Sequence, residues 1–108
     1  MATLTVAQVS TAGIVDPTPV AAAAGGDQFT NNGRTFLKVV NGSGGAITVT
    51  VAAQATCDQG STHNVANSVS AGATELMGPF SSRYTDANGF CQVTYSGVTS
   101  LTVAAISV

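Results

Sequence analysis

The seven residues Cys57-Asp58-Gln59-Gly60-Ser61-Thr62-His63 carry a thiol, a carboxylate, two hydroxyls and the chain's single imidazole. A thiol beside an imidazole is the minimum for covalent catalysis, because the base must take the nucleophile's proton. Here that would require the segment to fold Cys57 onto His63, and no residue at a recognisable spacing supplies an orienting third group or an oxyanion pocket. A zinc site needs four ligands, for instance Cys57, His63, Cys91 and an aspartate, and these spacings match no finger or ribbon. The simpler reading is a polar loop whose imidazole bonds to backbone. No catalytic residue, metal ligand or cofactor is assigned.

The carboxylates do not form an acid–base pair by spacing either. Asp16, Asp27, Asp58, Glu75 and Asp86 all lie next to expected turns or strand ends, where solvation is their ordinary state. Asp86-Ala87-Asn88-Gly89 starts like a calcium loop but lacks the later ligands and the closing glutamate, so it reads as an Asp/Asn-Gly turn. Gly42, Gly44 and Gly45 are followed by no lysine-serine pair and no helix start, which makes them turn glycines and not a phosphate cradle. Phe29, Phe36, Phe80, Phe90, Tyr84 and Tyr95 read as core or interface anchors.

The elements that must carry these residues are strands. In Ala46 to Ala52, Ile47, Val49 and Val51 share one face while Thr48 and Thr50 point the other way. Cys91, Val93 and Tyr95 repeat the pattern, as do Leu101, Val103 and Ala105. Further strands are expected over Leu4–Val9, Thr35–Asn41, Asn64–Val69, Glu75–Phe80, Phe90–Tyr95 and Leu101–Val108. Between them Asn31-Asn32-Gly33, Asn41 to Gly45, Ser70 to Ala73 and Asp86 to Gly89 read as hairpin connections. Asp16 to Gly26 fits no strand, since Pro17 and Pro19 remove ladder donors and the alanines have poor strand propensity, so it is read as an extended crossover. The expectation is one all-β domain over residues 1–108 with seven or eight short strands, an antiparallel β-sandwich or jelly roll with a small barrel as the alternative, in which 1–26 form an N-terminal strand and a Pro/Ala-rich connection.

Of the 108 residues only 7% are charged and 44% are hydrophobic, whereas about a quarter of a typical soluble domain is charged. A surface so short of charge is expected to be covered by partners. Net charge is −2, and Arg34, Lys38 and Arg83 are scattered, so nucleic acid is not an expected partner. Met1 to Ser10 has no basic residue and alternates like a strand, so no secretory leader is expected. The longest alanine-valine run is far short of the roughly 20 residues of a membrane span. Cys57 and Cys91 are read as free thiols, and their separation in space is left open.

The ordered set Phe29-Thr30-Asn31-Asn32-Gly33-Arg34-Thr35-Phe36-Leu37, Val40-Asn41-Gly42-Ser43-Gly44, Gly78-Pro79-Phe80, Tyr84-Thr85-Asp86-Ala87-Asn88-Gly89 and Val93-Thr94-Tyr95-Ser96 resembles small capsid decoration, or cement, proteins of tailed bacteriophages. The resemblance implies a jelly-roll structural protein, not an enzyme, that stands as a homotrimer on the head surface of the virion and stabilises the shell by binding the major capsid protein. It implies synthesis in the bacterial cytoplasm and no cofactor. Competing expectations are a neck or tail component of the same particle and a carbohydrate-binding sandwich using Tyr84 and Tyr95. The residues expected at the capsid or trimer contact are Leu4, Val6, Val9, Ile14, Val20, Phe29, Phe80 and Tyr84, with Thr3 to Gly26 as the capsid-facing arm. Truncation through Gly26 is accordingly expected to leave a soluble β-fold that no longer decorates shells.

Overall fold

The computed structural model describes residues 2–14, 18–54 and 64–107. Among them are ten strands: β1 (Ala2–Thr3), β2 (Val6–Gln8), β3 (Val20–Ala21), β4 (Asp27–Thr30), β5 (Thr35–Asn41), β6 (Ile47–Val51), β7 (Val65–Val69), β8 (Thr74–Met77), β9 (Phe90–Tyr95) and β10 (Leu101–Ser107). They form two sheets: sheet A in the order β1-β4-β9-β6-β7, and sheet B in the order β2-β10-β5-β8. β3 lies beside β2 along the same edge of β10.

Without β1 and β2, the frame is β3-β10-β5-β8 packed on β4-β9-β6-β7, with every neighbouring pair antiparallel. Among these strands only β6 and β7 are both consecutive and paired; every other connection passes from one sheet to the other. Eight strands wound as two Greek keys make a jelly roll. The all-β sandwich is therefore as expected, with ten strands in place of seven or eight. The sheets are not wholly antiparallel, because β1 runs parallel to β4 and β2 parallel to β10.

Three local expectations are corrected. The turns at Asn31–Gly33, Asn41–Gly45 and Ser70–Ala73 are corners between sheets and not hairpins, and Asp86–Gly89 leads into β9 from the other sheet. Turn-forming residues mark where the chain reverses but not which sheet it enters next. β3 falls inside the segment read as strand-free: two residues suffice to pair Val20 with Val103 and Ala21 with Thr102. β4 went unread because its inward residues are Asp27 and Phe29, and an aspartate on the apolar face breaks the visible alternation.

The core follows the two-residue period. Phe29, Leu37, Val39, Val49, Val51, Val93 and Val103 are all fully buried between the sheets. Outward positions differ between the two faces. On sheet A the register sets Thr48 beside Ser68, Thr50 beside Ala66 and Thr94, and Gln28 beside Gln92, an uncharged hydroxyl and amide surface. On sheet B it sets Phe36 beside Ile106 and Lys38 beside Leu76, so the outward surface is largely apolar.

The first residues close one open side of the sandwich. β1 extends sheet A and β2 extends sheet B, so the chain crosses from one sheet edge to the other at Leu4 and Thr5. The Leu4 N–H donates to Gln28 O at 2.7 Å, its side chain is 6% exposed, and the Val9 N–H donates to Ser107 O at 2.7 Å. Burying an apolar side chain while pairing two exposed strand edges is the usual way a sheet edge is protected. The seated arm thus completes both sheet edges of the sandwich.

Candidate interaction surface

A groove of about 570 Å³ runs over the outer face of sheet B, lined by Val9, Gly13, Ile14, Phe36, Lys38, Thr74, Leu76 and Ile106. Its floor comes from β5, β8 and β10, whose register brings Phe36, Ile106 and Leu76 together. One wall comes from the segment after β2, which the parallel β2–β10 pairing places over the end of β10. Val9 and Ile14 are each 41% exposed and Leu76 is 63% exposed. With Val20, at 52%, they are the large apolar side chains most open to solvent among the described residues. Three of these four side chains line this one groove, and clustering of that kind marks a binding surface where scattered exposure would not.

The expected contact residues divide into two groups. Val9 and Ile14 lie in the groove. Val20 lies at a smaller hollow of about 260 Å³ where β2 and β3 meet β10, with Leu4, Thr18 and Ala104. Leu4, Phe29 and Phe80, expected at a contact, are interior in the single chain, at 6%, 0% and 3% exposure. Val6 is half-buried and packs against the core. Tyr84 also packs inward, edge-on to Phe80 at 6.1 Å between ring centroids, and Phe80 is tilted on Phe29 at 5.8 Å. These aromatics form an internal stack. Leu76, Phe36 and Ile106 were not expected at a contact. The adjacent apolar pair Leu76-Met77 in a strand was the available signal, since one of the two must face outward.

The chemistry-bearing residues have structural partners. Cys57, Asp58, His63 and Asp16 lie outside the described residues. Cys91 is a free thiol, fully buried in the core, and burial first, then the charge of Asp86, pushes it up to about 11. A thiol so poorly ionised near neutral pH is a weak nucleophile. Glu75 Oε1 accepts from Asn67 Nδ2 at 2.9 Å, tying β8 to β7 across the second open side of the sandwich. Asp86 Oδ1 accepts from the N–H groups of Phe90 and Asn88, and Oδ2 accepts from Gln92 Nε2. The Phe90 and Gln92 bonds, followed by those of the turn, hold its carboxyl below the usual range. That segment is an Asx turn. Among the described residues no three histidine, cysteine or acidic groups gather as a metal site.

Asp27 is the costliest polar group in the interior. It is 0% exposed, and its Oδ2 accepts from Tyr95 Oη at 2.7 Å and from the Ala23 N–H at 3.3 Å. Burial, and next the neighbouring Asp27 carboxylate, push the Tyr95 phenol well above its ordinary range. With its hydroxyl turned inward to Asp27, Tyr95 is no stacking platform for a sugar, and Tyr84 is engaged with Phe80.

Both raised groups give the same sign of pH dependence. Their stabilising contribution is complete below the unfolded values, near 9.0 for Cys91 and 10.0 for Tyr95, and is lost as pH rises toward the folded values. Urea unfolding is expected to show constant stability from pH 7 to 8.5 and a steep fall above it, of about 2–3 kcal/mol from Cys91 alone. Tyr95→Phe is expected to be less stable at neutral pH yet to have a shallower alkaline limb. An unchanged limb in both Tyr95→Phe and Cys91→Ala would show that neither group controls it.

No family model, curated protein or solved structure matches the chain. The fold and surface define a class, a jelly-roll module with one apolar, grooved face.

Proposed function

We propose that the chain is a structural virion protein, a capsid decoration protein that docks its sheet B groove on the major capsid protein at the head surface and acts by binding, without catalysis. The observation that carries this reading is the convergence of Val9, Ile14 and Leu76 on one groove in a chain of which only 7% of residues are charged. A tile that adds apolar contact between neighbouring subunits lowers the free energy of the assembled shell. Trimers at threefold positions multiply weak contacts through avidity, so no single one has to be strong. The likeness of the turn motifs to decoration proteins supports the phage head over other protein lattices.

Cryo-electron microscopy of virions tests the reading directly, because density confined to the tail or neck would overturn it. Copy number separates the same alternatives: hundreds of copies per particle for decoration, on the order of ten for a closed neck ring. Leu76→Asp is expected to weaken co-sedimentation with shells by roughly thirtyfold or more, the effect of losing a central apolar anchor. Its thermal midpoint should stay within a few degrees of the parent, because Leu76 is 63% exposed and exposed substitutions cost little. Undiminished binding by this variant would remove the groove from the interface.

A further inference from the structure

The pairing of the first strands is short and parallel, and no tight turn ties it to the strands it joins. β1 contributes two register pairs, Ala2 with Asp27 and Thr3 with Gln28, and β2 contributes three, ending at Gln8 with Ser107. The neighbouring β5–β10 ladder has seven. Parallel neighbours cannot be joined by a hairpin, so the arm reaches its seat through the connection 9–19. Fully extended, those residues span at most about 36–40 Å, well over the 21 Å shortest dimension of the molecule.

We infer that the arm, Ala2 to Gln8, is exchanged between copies of this chain: in the oligomer each arm fills the two-sheet edge of a neighbour, with Leu4 in the neighbour's core. The seat cannot distinguish its own arm from another, since every contact is the same in both arrangements, and such exchange is a low-cost route to oligomers. Opening the connection gives up little. Ser10 to Ile14 are exposed, and the turn there is closed by the Gly13 N–H to Ser10 O at 2.9 Å and by Ser10 Oγ to Gly13 O at 3.4 Å. Pro19 biases Thr18 toward extended backbone, the shape an outgoing arm needs. The exchange requires no capsid and stands apart from the decoration reading.

The test uses the full chain with Cys57→Ser and Cys91→Ala. Thr3 and Gln28 are register partners whose side chains hydrogen-bond at 2.9 Å, within the geometry a disulfide can bridge. Thr3→Cys chains and Gln28→Cys chains are mixed at high concentration, incubated, oxidised gently and separated on a non-reducing gel, with mass spectrometry to assign the products. Exchange predicts a disulfide-linked heterodimer in roughly tenfold excess over either homodimer, because the seated arm holds the two thiols at high effective concentration. The double variant Thr3→Cys/Gln28→Cys serves as the internal reference. If it closes within one chain while the mixture stays monomeric or gives all three dimers in statistical proportion, exchange is refuted. If the double variant forms no cross-link at all, the arm does not occupy this edge and the proposal fails for that reason.

Discussion

A chain that starts at Asp27 is expected to lose cooperative folding altogether, and not to persist as a soluble sandwich. Removing residues 1–26 strips β1, β2 and β3, leaves the outer edges of β4 and β10 unpaired, and takes Leu4 out of the core. The Leu4 vacancy alone corresponds to about 2–5 kcal/mol, and total stability for a domain of this size is about 5–15 kcal/mol. Two uncovered edges add a template for aggregation. Circular dichroism through a thermal ramp, with size-exclusion chromatography, reads the outcome. The point variant Leu4→Ala isolates the core contribution, with an expected loss of about 2–5 kcal/mol in urea unfolding. A soluble, monomeric truncation that unfolds cooperatively with nearly parental stability would show that the arm merely decorates the fold.

Asn41→Ala is the substitution expected to do most damage per atom removed. Asn41 is 0% exposed at the corner where β5 turns toward sheet A. Its Nδ2 donates to Gly45 O and Val69 O, both at 2.9 Å, and its Oδ1 accepts from Ser43 N–H at 3.0 Å and Ser43 Oγ at 2.7 Å. Its own backbone bonds the next corner, donating to Ala73 O and accepting from the Gly72 N–H. One side chain thus holds two inter-sheet connections together. Deleting it takes this donor from the buried Val69 O, while Gly45 O keeps the Ser43 hydroxyl, and a buried group so deprived costs about 1–3 kcal/mol, which is the loss expected. Asn41→Asp keeps the shape but aims a carboxylate at two carbonyl oxygens. It should be the least stable form at neutral pH and regain stability below about pH 4 as the carboxyl protonates and donates. Asn88→Ala, in an exposed turn, is the control and should change little. If Asn41→Ala fell within about 0.5 kcal/mol of the parent, a range ordinary for surface substitutions, the corner would not depend on this amide.

Asn41 also shows how far the residues could be read in advance. As the last position of a strand followed by Gly-Ser-Gly-Gly, it announces a turn, and the strand Thr35–Asn41 has the expected bounds. Nothing local says that the turn is a corner between sheets or that the amide is buried, because both depend on β7 and β8 arriving beside it. The alternation of Ile47, Val49 and Val51, and of Cys91 and Val93, was visible because each strand is buried on one face only. β10 is buried at nearly every position, with Ala104 and Ile106 covered as well, so alternation there described half the truth. The groove was the least legible feature. Val9 and Ile14 are far from Leu76 in sequence and meet it only through the parallel β2–β10 pairing, which no residue pattern announces. Apolar character in the arm was visible, but Leu4 and Val6 turn inward while Val9 and Ile14 turn outward.

The two outer faces of the sandwich are chemically unlike: sheet B carries Phe36 and Leu76 around a single Lys38, while sheet A shows Thr48, Thr50, Ser68, Thr94 and the amides of Gln28 and Gln92. On the decoration reading proposed above, the molecule attaches by sheet B and afterwards presents the fully hydrated sheet A to the medium. On that reading a second layer finds nothing apolar on sheet A to grip. The decoration proposal thus predicts coverage that saturates at one layer whatever the supply of free protein, and fully coated particles that do not adhere to one another.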